Sequence, residues 1–599
     1  MIRLFVLLLL IIVTSGHGAL AADAKVKYVL SFPAPQSHYV NVRMDISGLR
    51  GGKLKLKMPV WAPGSYLVRE FSRHVENFAA TDAKGGRIRF LKTSKNSWEI
   101  DAGGSSAVSI SYDVYAYELT VRTSFVDEEH AYLNGTSIFM YDETFKNLPC
   151  TVKVVPFSPW KVISVALDPV VLGNPWEVVS RNYDELVDSP FEIGNHLVFS
   201  FSAAGIPHEV AMVGPGNFDV ERLKKDMARI VEECTGIFGS HPCKRYLFII
   251  HNLFSGGGGL EHLNSTTLQT GRWSYGNAST YNGFLSLVAH EYFHLWNVKR
   301  LRPEPLGPFN YDEENYTTLL WLAEGFTAYY DDLIVRRCGF TSETEYLETL
   351  AGNLSYCMNT PGSASQSLSE SSYDTWIKFY RPNENSSNSS VSYYTKGAAV
   401  GALLDLVIMN ATDARFSLDD VFRQMYELYY KSNDRPYREE DFIRIAEKVA
   451  GVPLGKFING LIYGKDSLPV TEVLTKVGLR LSDRNDALSK AWAGFNTSYS
   501  NGRLTVTSVD RDSPAWMAGV NVNDEVIGMD GYRLSDDLAK FMSMKKPGEK
   551  VVFSLSRNGM LRSAELVLER SPSVSYLISK EENSSASARR CYNKWLRLP

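Results

Sequence analysis

The stretch Leu285–Arg300, LSLVAHEYFHLWNVKR, joins an apolar run to two histidines four residues apart with a glutamate beside the first. In a helix, positions 290 and 294 share a face, so the imidazoles of His290 and His294 reach one ion while Glu291 stands next to it. With 11 histidines and 67 acidic residues in 599 positions, a chance HExxH is expected about 0.01 times in such a chain, so the pattern carries information. Zinc bound in this way needs a third protein ligand and keeps its fourth position for water.

The third ligand is sought downstream. In TTLLWLAEGFTAYYDDL (317–333), Glu324 sits inside an apolar helical stretch, where a lone carboxylate is costly unless it is paired or protonated. A cation resolves that cost, so His290, His294 and Glu324 are the expected ligands of one Zn²⁺ ion. Glu291 is then the general base for the zinc-bound water. A developing oxyanion calls for a second donor besides the metal. VSYYTKGAAVGALLDL (391–406) offers Tyr394, with Tyr393 as the alternative.

Outside this region the periodicity changes twice. From about residue 25 to 202, short alternating runs such as KYVLSF, NVRMDI and LVFSFSA lie between Gly, Asn, Asp and Pro clusters, the pattern of an antiparallel β domain. From about 218 to 462 the period is helical, with DVERLKKDMARIVEECTGIF and ENYTTLLWLAEGFTAYYDDLIVRR as long segments. From about 474 to 569 strands return: GRLTVTSV alternates, Ser513-Pro514 opens a short helix, and Asp530-Gly531 and Asn558-Gly559 mark tight turns. The last segment, 571–599, opens polar, and its Trp595 and Leu596 are expected to dock back onto the body.

A chain of 599 residues needs several cores. Its net charge of -4 and the absence of a polybasic run give no electrostatic reason to expect nucleic acid or an anionic membrane as partner. The N-terminus has Arg3, an apolar run from Leu4 to Val13 and then Ala19-Leu20-Ala21, the order of a secretory signal peptide cleaved after Ala21 or Ala22. No later segment is long and apolar enough for stable membrane insertion, so export to a periplasm or the medium is expected. There, Cys234 with Cys243 and Cys338 with Cys357 are the expected local disulfides.

These motifs resemble known families. SPAWMAGVNVNDEVIGMDG (513–531) is similar to the PDZ domains of bacterial proteases, which implies Gly494 and Phe495 as the carboxylate-binding turn for a peptide end or strand. MPVWAPGSYLVREFSRHV, GGGGLEH, HEYFHLWNVKRLRP, WLAEGFTAYY, KFYRPNENS and YYTKGA together resemble the glycyl aminopeptidase family of zinc metallopeptidases, a gluzincin type. The resemblance implies a multidomain α+β fold: signal peptide 1–22, β-rich N-terminal domain 23–210, mainly helical thermolysin-like zinc domain 211–470, PDZ-like domain 474–570 and tail 571–599. It implies release of N-terminal glycine, alanine and other small residues from peptides. Tyr394-Thr395-Lys396-Gly397 is similar to the Y-x-K-G of zinc aminopeptidases, whose tyrosine bonds the tetrahedral intermediate.

Within SGGGGLEHLNS (255–265), Gly258-Gly259-Leu260-Glu261-His262 resembles the Gly-x-Met-Glu-Asn strand of zinc aminopeptidases. That strand pairs with the peptide backbone, and its glutamate binds the free amine. Gly258, Gly259, Glu261 and His262 are therefore the expected substrate-binding positions, Leu260 and His262 being departures from the pattern. Two other readings stay open: a zinc endopeptidase with PDZ-assisted capture, and a non-catalytic PDZ peptide-binding protein.

Overall fold

The computed structural model describes residues 24–486 and 490–598, so the expected signal peptide lies outside the described residues. The architecture is a β-rich N-terminal domain, a largely helical middle and a C-terminal PDZ region.

The N-terminal domain is built on a seven-stranded sheet in which Lys25–Ser31, Tyr39–Ser47 and Ala107–Tyr115 are consecutive neighbours. Period-two alternation fixes its register. Val26, Tyr28 and Leu30 lie opposite Ile46, Met44 and Val42, which in turn face Val108, Ile110 and Tyr112, and all nine are buried in one core.

LVFSFSA, expected in that domain, belongs to a different sheet. Leu197–Ala203 pairs with Ile206–Val213, followed in order by Tyr246–Leu253, Ser265–Gly271 and the edge strand Gly258–Glu261. The cause is packing: Phe199 and Ala203 share a core with Leu223, Met227 and Ile230 of the helix Val220–Phe238. That helix is capped by Asp219, which accepts from the Arg222 N–H, and is closed by Gly239 at φ 84°.

The helix Ala278–Phe293 carries the metal motif. Asn277 caps it by accepting from the Ser279 and Thr280 N–H groups, and its Tyr281, Phe284, Leu285, Val288, Ala289, Tyr292 and Phe293 are buried in the core. The long helix expected at 314–337 is shorter and irregular: a π-helical turn, Trp321–Gly325, leads into Phe326–Arg337. The helix Thr395–Ala411 crosses it at two glycines. A Cβ on Gly325 would lie 2.7 Å from the Gly397 Cα, and one on Gly397 would lie 2.8 Å from the Gly325 Cα.

The PDZ region is an insertion rather than an appendage. Leu479–Asp483 pairs antiparallel with Tyr576–Lys580, and Leu479 and Ile578 are buried in the core of the helical middle region, so the chain leaves and re-enters that body on either side of the PDZ sheet. The C-terminal segment is a helix, Ala586–Leu596. Trp595 and Leu596 are buried, and the Trp595 Nε1 donates to the Tyr329 hydroxyl at 2.8 Å.

The expected disulfides are not formed. All six cysteines are free, five of them buried in apolar packing that holds them as small hydrophobes. Among the described residues no helix is long and apolar enough to cross a membrane.

Candidate active site

The motif helix ends at Phe293, and His294 is its C-cap, still in helical geometry at φ -60° and ψ -19°. His290 and His294 therefore stay on one face. Each ring is oriented by its Nδ1: that of His290 is 2.8 Å from Asp331 Oδ2, and that of His294 is 2.9 Å from the Asn297 carbonyl oxygen. Both Nε2 atoms then face Glu324, whose Oε2 lies 3.6 Å from the first and 3.2 Å from the second. Two ligands of a tetrahedral ion at 2.0–2.1 Å stand about 3.3–3.4 Å apart. The observed spacings bracket that value, so this N, N, O set fits a catalytic zinc.

Glu324 reaches the histidines because of its backbone. The π-turn widens the helix at Trp321–Gly325, a distortion common at functional sites. Asn297 ties the two helices together by donating from Nδ2 to the Leu322 and Ala323 carbonyls at 3.0 and 3.1 Å. Burial alone would raise the Glu324 carboxyl, but the His294 and His290 rings beside it hold it down at about 2.

Glu291 lies across the cleft floor from the edge strand. Its Oε2 is buried without a hydrogen-bond partner. A Cβ on Gly259 would stand 2.1 Å from its Oε1, so any side chain there would displace the Glu291 carboxylate. Burial raises the Glu291 carboxyl to about 7, with His290 and His294 opposing and Glu261 adding to the rise. A divalent cation at the histidines would draw it back toward the ordinary range.

Glu261 ends the edge strand, 4% exposed, with one oxygen within 4.8 Å of ligand atoms of Glu291 and His294. A loop of the N-terminal domain closes over it. Gly64, at φ 85°, presses its backbone on the carboxylate, since a Cβ there would lie 2.6 and 2.7 Å from the two Glu261 oxygens. The loop is held from below: the Trp61 Nε1 donates to the Asn310 carbonyl at 2.8 Å, and Trp61 and Tyr66 both pack edge-on against Trp376.

Gly259, Glu261, the three candidate ligands, Glu291 and Tyr394 line one cavity of about 360 Å³. The Tyr394 ring centroid is 6.3 Å from that of His290. Tyr393 is turned away, fully buried, its hydroxyl accepting from Thr375 Oγ1 at 3.0 Å. His262 corrects an expectation: it does not line the cavity. Its Nδ1 is bonded to Asp188 at 3.1 Å, and Lys299 holds the same carboxylate at 2.9 Å, because alternation sends residue 262 to the opposite side from Glu261.

In the PDZ sheet, Gly494 adopts φ 84° with Ser513 so close that a Cβ would lie 2.0 Å from the Ser513 Cβ. Phe495 opens the sheet's edge strand, Phe495–Ser500.

Asp331, Asn297, Gly64 and Arg122 belong to the site without having been singled out from sequence. Asp331 carried a signal, being seven residues after Glu324 and so on the same helical face, and Gly64 and Asn297 lie within the MPVWAPGSYLVREFSRHV and HEYFHLWNVKRLRP segments.

Three family models match the chain: the Peptidase M61 N-terminal domain over residues 27–195, the M61 glycyl aminopeptidase over 283–400 and a PDZ domain over 476–568. Among solved structures, an aminopeptidase N family protein from Idiomarina loihiensis is 31% identical, with 95% of this chain and 100% of that one covered and a TM-score of 0.87. An M1 zinc metallopeptidase from Deinococcus radiodurans is 13% identical, with 74% and 95% covered and a TM-score of 0.48. No curated protein matches the chain.

Proposed function

This chain belongs to the M61 glycyl aminopeptidase family of metallopeptidases, and from that premise we propose that it is an exported zinc aminopeptidase releasing small N-terminal residues, glycine and alanine foremost, from peptides. The observation that carries the exopeptidase reading is Glu261, a buried carboxylate lining the cleft, capped by the Gly64 backbone and beside Glu291 and His294. An anion so placed recognises a substrate's free ammonium and leaves no room for residues upstream of it.

His290, His294 and Glu324 would hold the zinc ion, which when bound polarises the scissile carbonyl and acidifies water. The remaining work falls to the chain. Glu261 binds the amine, and the edge strand Gly258–Glu261 offers its free backbone edge to the peptide, with Gly259 permitting close approach. Glu291, unpartnered at Oε2, takes the proton of the attacking water and returns it to the leaving nitrogen. Tyr394 donates its hydroxyl hydrogen to the oxyanion. The PDZ region would take a peptide end or strand at Gly494, Phe495 and the edge strand they open.

The test compares alanyl and glycyl peptides having free and acetylated amines, with products identified by mass spectrometry. Removal of single N-terminal residues from free peptides alone supports the reading. Equal cleavage of acetylated peptides, or internal cuts, would contradict it.

A further inference from the structure

Both backbone groups of Leu263, two residues after Glu261, are held by charged side chains. Its N–H donates to Asp188 Oδ2 at 2.9 Å, and its carbonyl accepts from Arg300 Nη1. The same Arg300 nitrogen donates to the Leu295 carbonyl at 3.2 Å, so one guanidinium, 7% exposed, bridges the end of the edge strand and the residue after His294. Its Nη2 adds a bond to Asn264 Oδ1 at 2.9 Å.

Asp188 makes a second bridge over the same gap. It is the C-cap residue of the helix Tyr183–Val187 in the N-terminal domain. Besides the Leu263 N–H, its carboxylate meets the His262 Nδ1 at 3.1 Å and the Lys299 ammonium at 2.9 Å. Burial opposes its charge, but Lys299 and His262 hold the carboxyl below its ordinary range. Lys299 in turn donates its backbone N–H to the His294 carbonyl at 3.2 Å. Two charged paths therefore run from residues 262–264 to residues 294 and 295, and charge-assisted bonds are shorter and stronger than neutral ones.

Glu261 has an oxygen within 4.8 Å of ligand atoms of His294 and Glu291. The ladder to Ser265–Gly271 sets the edge strand's place in the sheet, and the two bridges set its end against the motif helix. In an N-terminal residue one carbon separates the amine from the scissile carbonyl. One added methylene moves the amine about 1 Å farther off, and a misplacement of about 1 Å at the reacting centre costs about 100-fold in rate.

We propose that Asp188, His262, Lys299 and Arg300 are positioning residues that fix the distance from Glu261 to the metal site, restricting the enzyme to peptides with an α-amine and rejecting those whose amine stands one carbon farther from the scissile carbonyl. This inference rests on the aminopeptidase reading above.

The test measures kcat/KM for alanyl and β-alanyl amides of one leaving group. The unaltered enzyme should prefer the alanyl substrate by at least about 100-fold. Arg300→Gln should lower kcat for the alanyl substrate by about 10-fold with KM little changed, because the amine still meets Glu261 while the carbonyl is misplaced. The alanyl preference should then fall to about 10-fold, with zinc content unaltered. Arg300→Lys keeps the charge without the planar fork and should retain part of the preference. Lys299→Met leaves the Arg300 bridge in place and should lower the preference less, which keeps the test open if Arg300→Gln does not fold.

A residue that only supports the fold would reduce the active fraction and slow both substrates alike. An alanyl-to-β-alanyl ratio unchanged in folded, zinc-loaded variants therefore overturns the proposal, as does a ratio near one in the unaltered enzyme. Failure of the aminopeptidase reading shows separately, as cleavage of the acetylated alanyl amide at the rate of the free one.

Discussion

Gly325 and Gly397 meet backbone against backbone where the helix bearing Glu324 crosses the helix that Tyr394 begins, each lacking the Cβ that would strike the other's Cα at under 3 Å. Both glycines follow a site residue closely, Gly325 by one position and Gly397 by three. The crossing sets the distance between the third candidate ligand and the candidate oxyanion donor. Gly397→Ala should force the helices apart, costing about 1–3 kcal/mol in stability by overpacking and at least about 10-fold in kcat by misplacing Tyr394. Thermal unfolding and steady-state kinetics on the same preparation check both.

The adjacent tyrosines separate by role. Tyr394 lines the cavity, whereas the Tyr393 hydroxyl accepts from Thr375 away from it. Tyr394→Phe should lower kcat by about 100- to 1,000-fold with KM little changed, as for loss of an oxyanion donor. Tyr393→Phe should cost about 1 kcal/mol of stability through the lost hydrogen bond and leave kcat within a few fold.

Asp331 orients His290 through the 2.8 Å contact to its Nδ1. Asp331→Ala frees the ring, and zinc affinity should fall about 10- to 100-fold, measured by competition with a chelating dye. The contact also fixes which ring nitrogen faces Glu324.

Glu192 is fully buried between the His130 Nδ1 at 2.7 Å and the His251 Nε2 at 2.9 Å, where the N-terminal domain meets the catalytic sheet. Burial opposes its charge, but His130 and His251 hold its pKa at about 2. A carboxyl depressed in the folded state contributes fully above its ordinary value and loses that contribution as pH falls from about 4.5 toward 2. The amount is on the order of 3 kcal/mol. His130 is raised: burial opposes this, and Glu192 outweighs it, so its contribution is present below about 6.5 and lost as pH rises above it. Glu192→Gln should flatten the dependence of stability on pH on both flanks, as read by denaturant unfolding from pH 3 to 8.

That His290, His294 and Glu324 come together was legible in sequence because the signals are local: two histidines one helical turn apart, and a carboxylate that an apolar helix could not otherwise tolerate. The β domain and the PDZ region were legible by alternation and turn residues. What escaped depended on chain pairing across long separations. Leu197–Ala203 alternates like its predecessors, and only its packing on Leu223 and Met227 assigns it to the catalytic sheet. The insertion of the PDZ region depends on Leu479–Asp483 meeting Tyr576–Lys580, about a hundred residues apart, which no local pattern records. His262 looked like a substrate ligand beside Glu261, yet strand alternation turns it to Asp188. The disulfides inferred from close spacing failed because these cysteines are packed as apolar residues. Gly64 and Arg122 reach the cleft from the N-terminal domain, some two hundred residues before the histidines; Arg122 carries no motif of its own, and nothing in MPVWAPGSYLVREFSRHV says that Gly64 meets Glu261.

The central claim is that Glu261 anchors the substrate amine and thereby makes this zinc site an exopeptidase. The most direct measurement is kcat/KM for free-amine alanyl peptides with Glu261→Ala alongside the zinc content of the same protein. The account predicts one zinc per chain in both proteins and a loss of at least about 100-fold, or about 3 kcal/mol, on replacing Glu261, as for a buried charged pair broken on one side. Unchanged turnover of free-amine peptides by the zinc-loaded variant would contradict it.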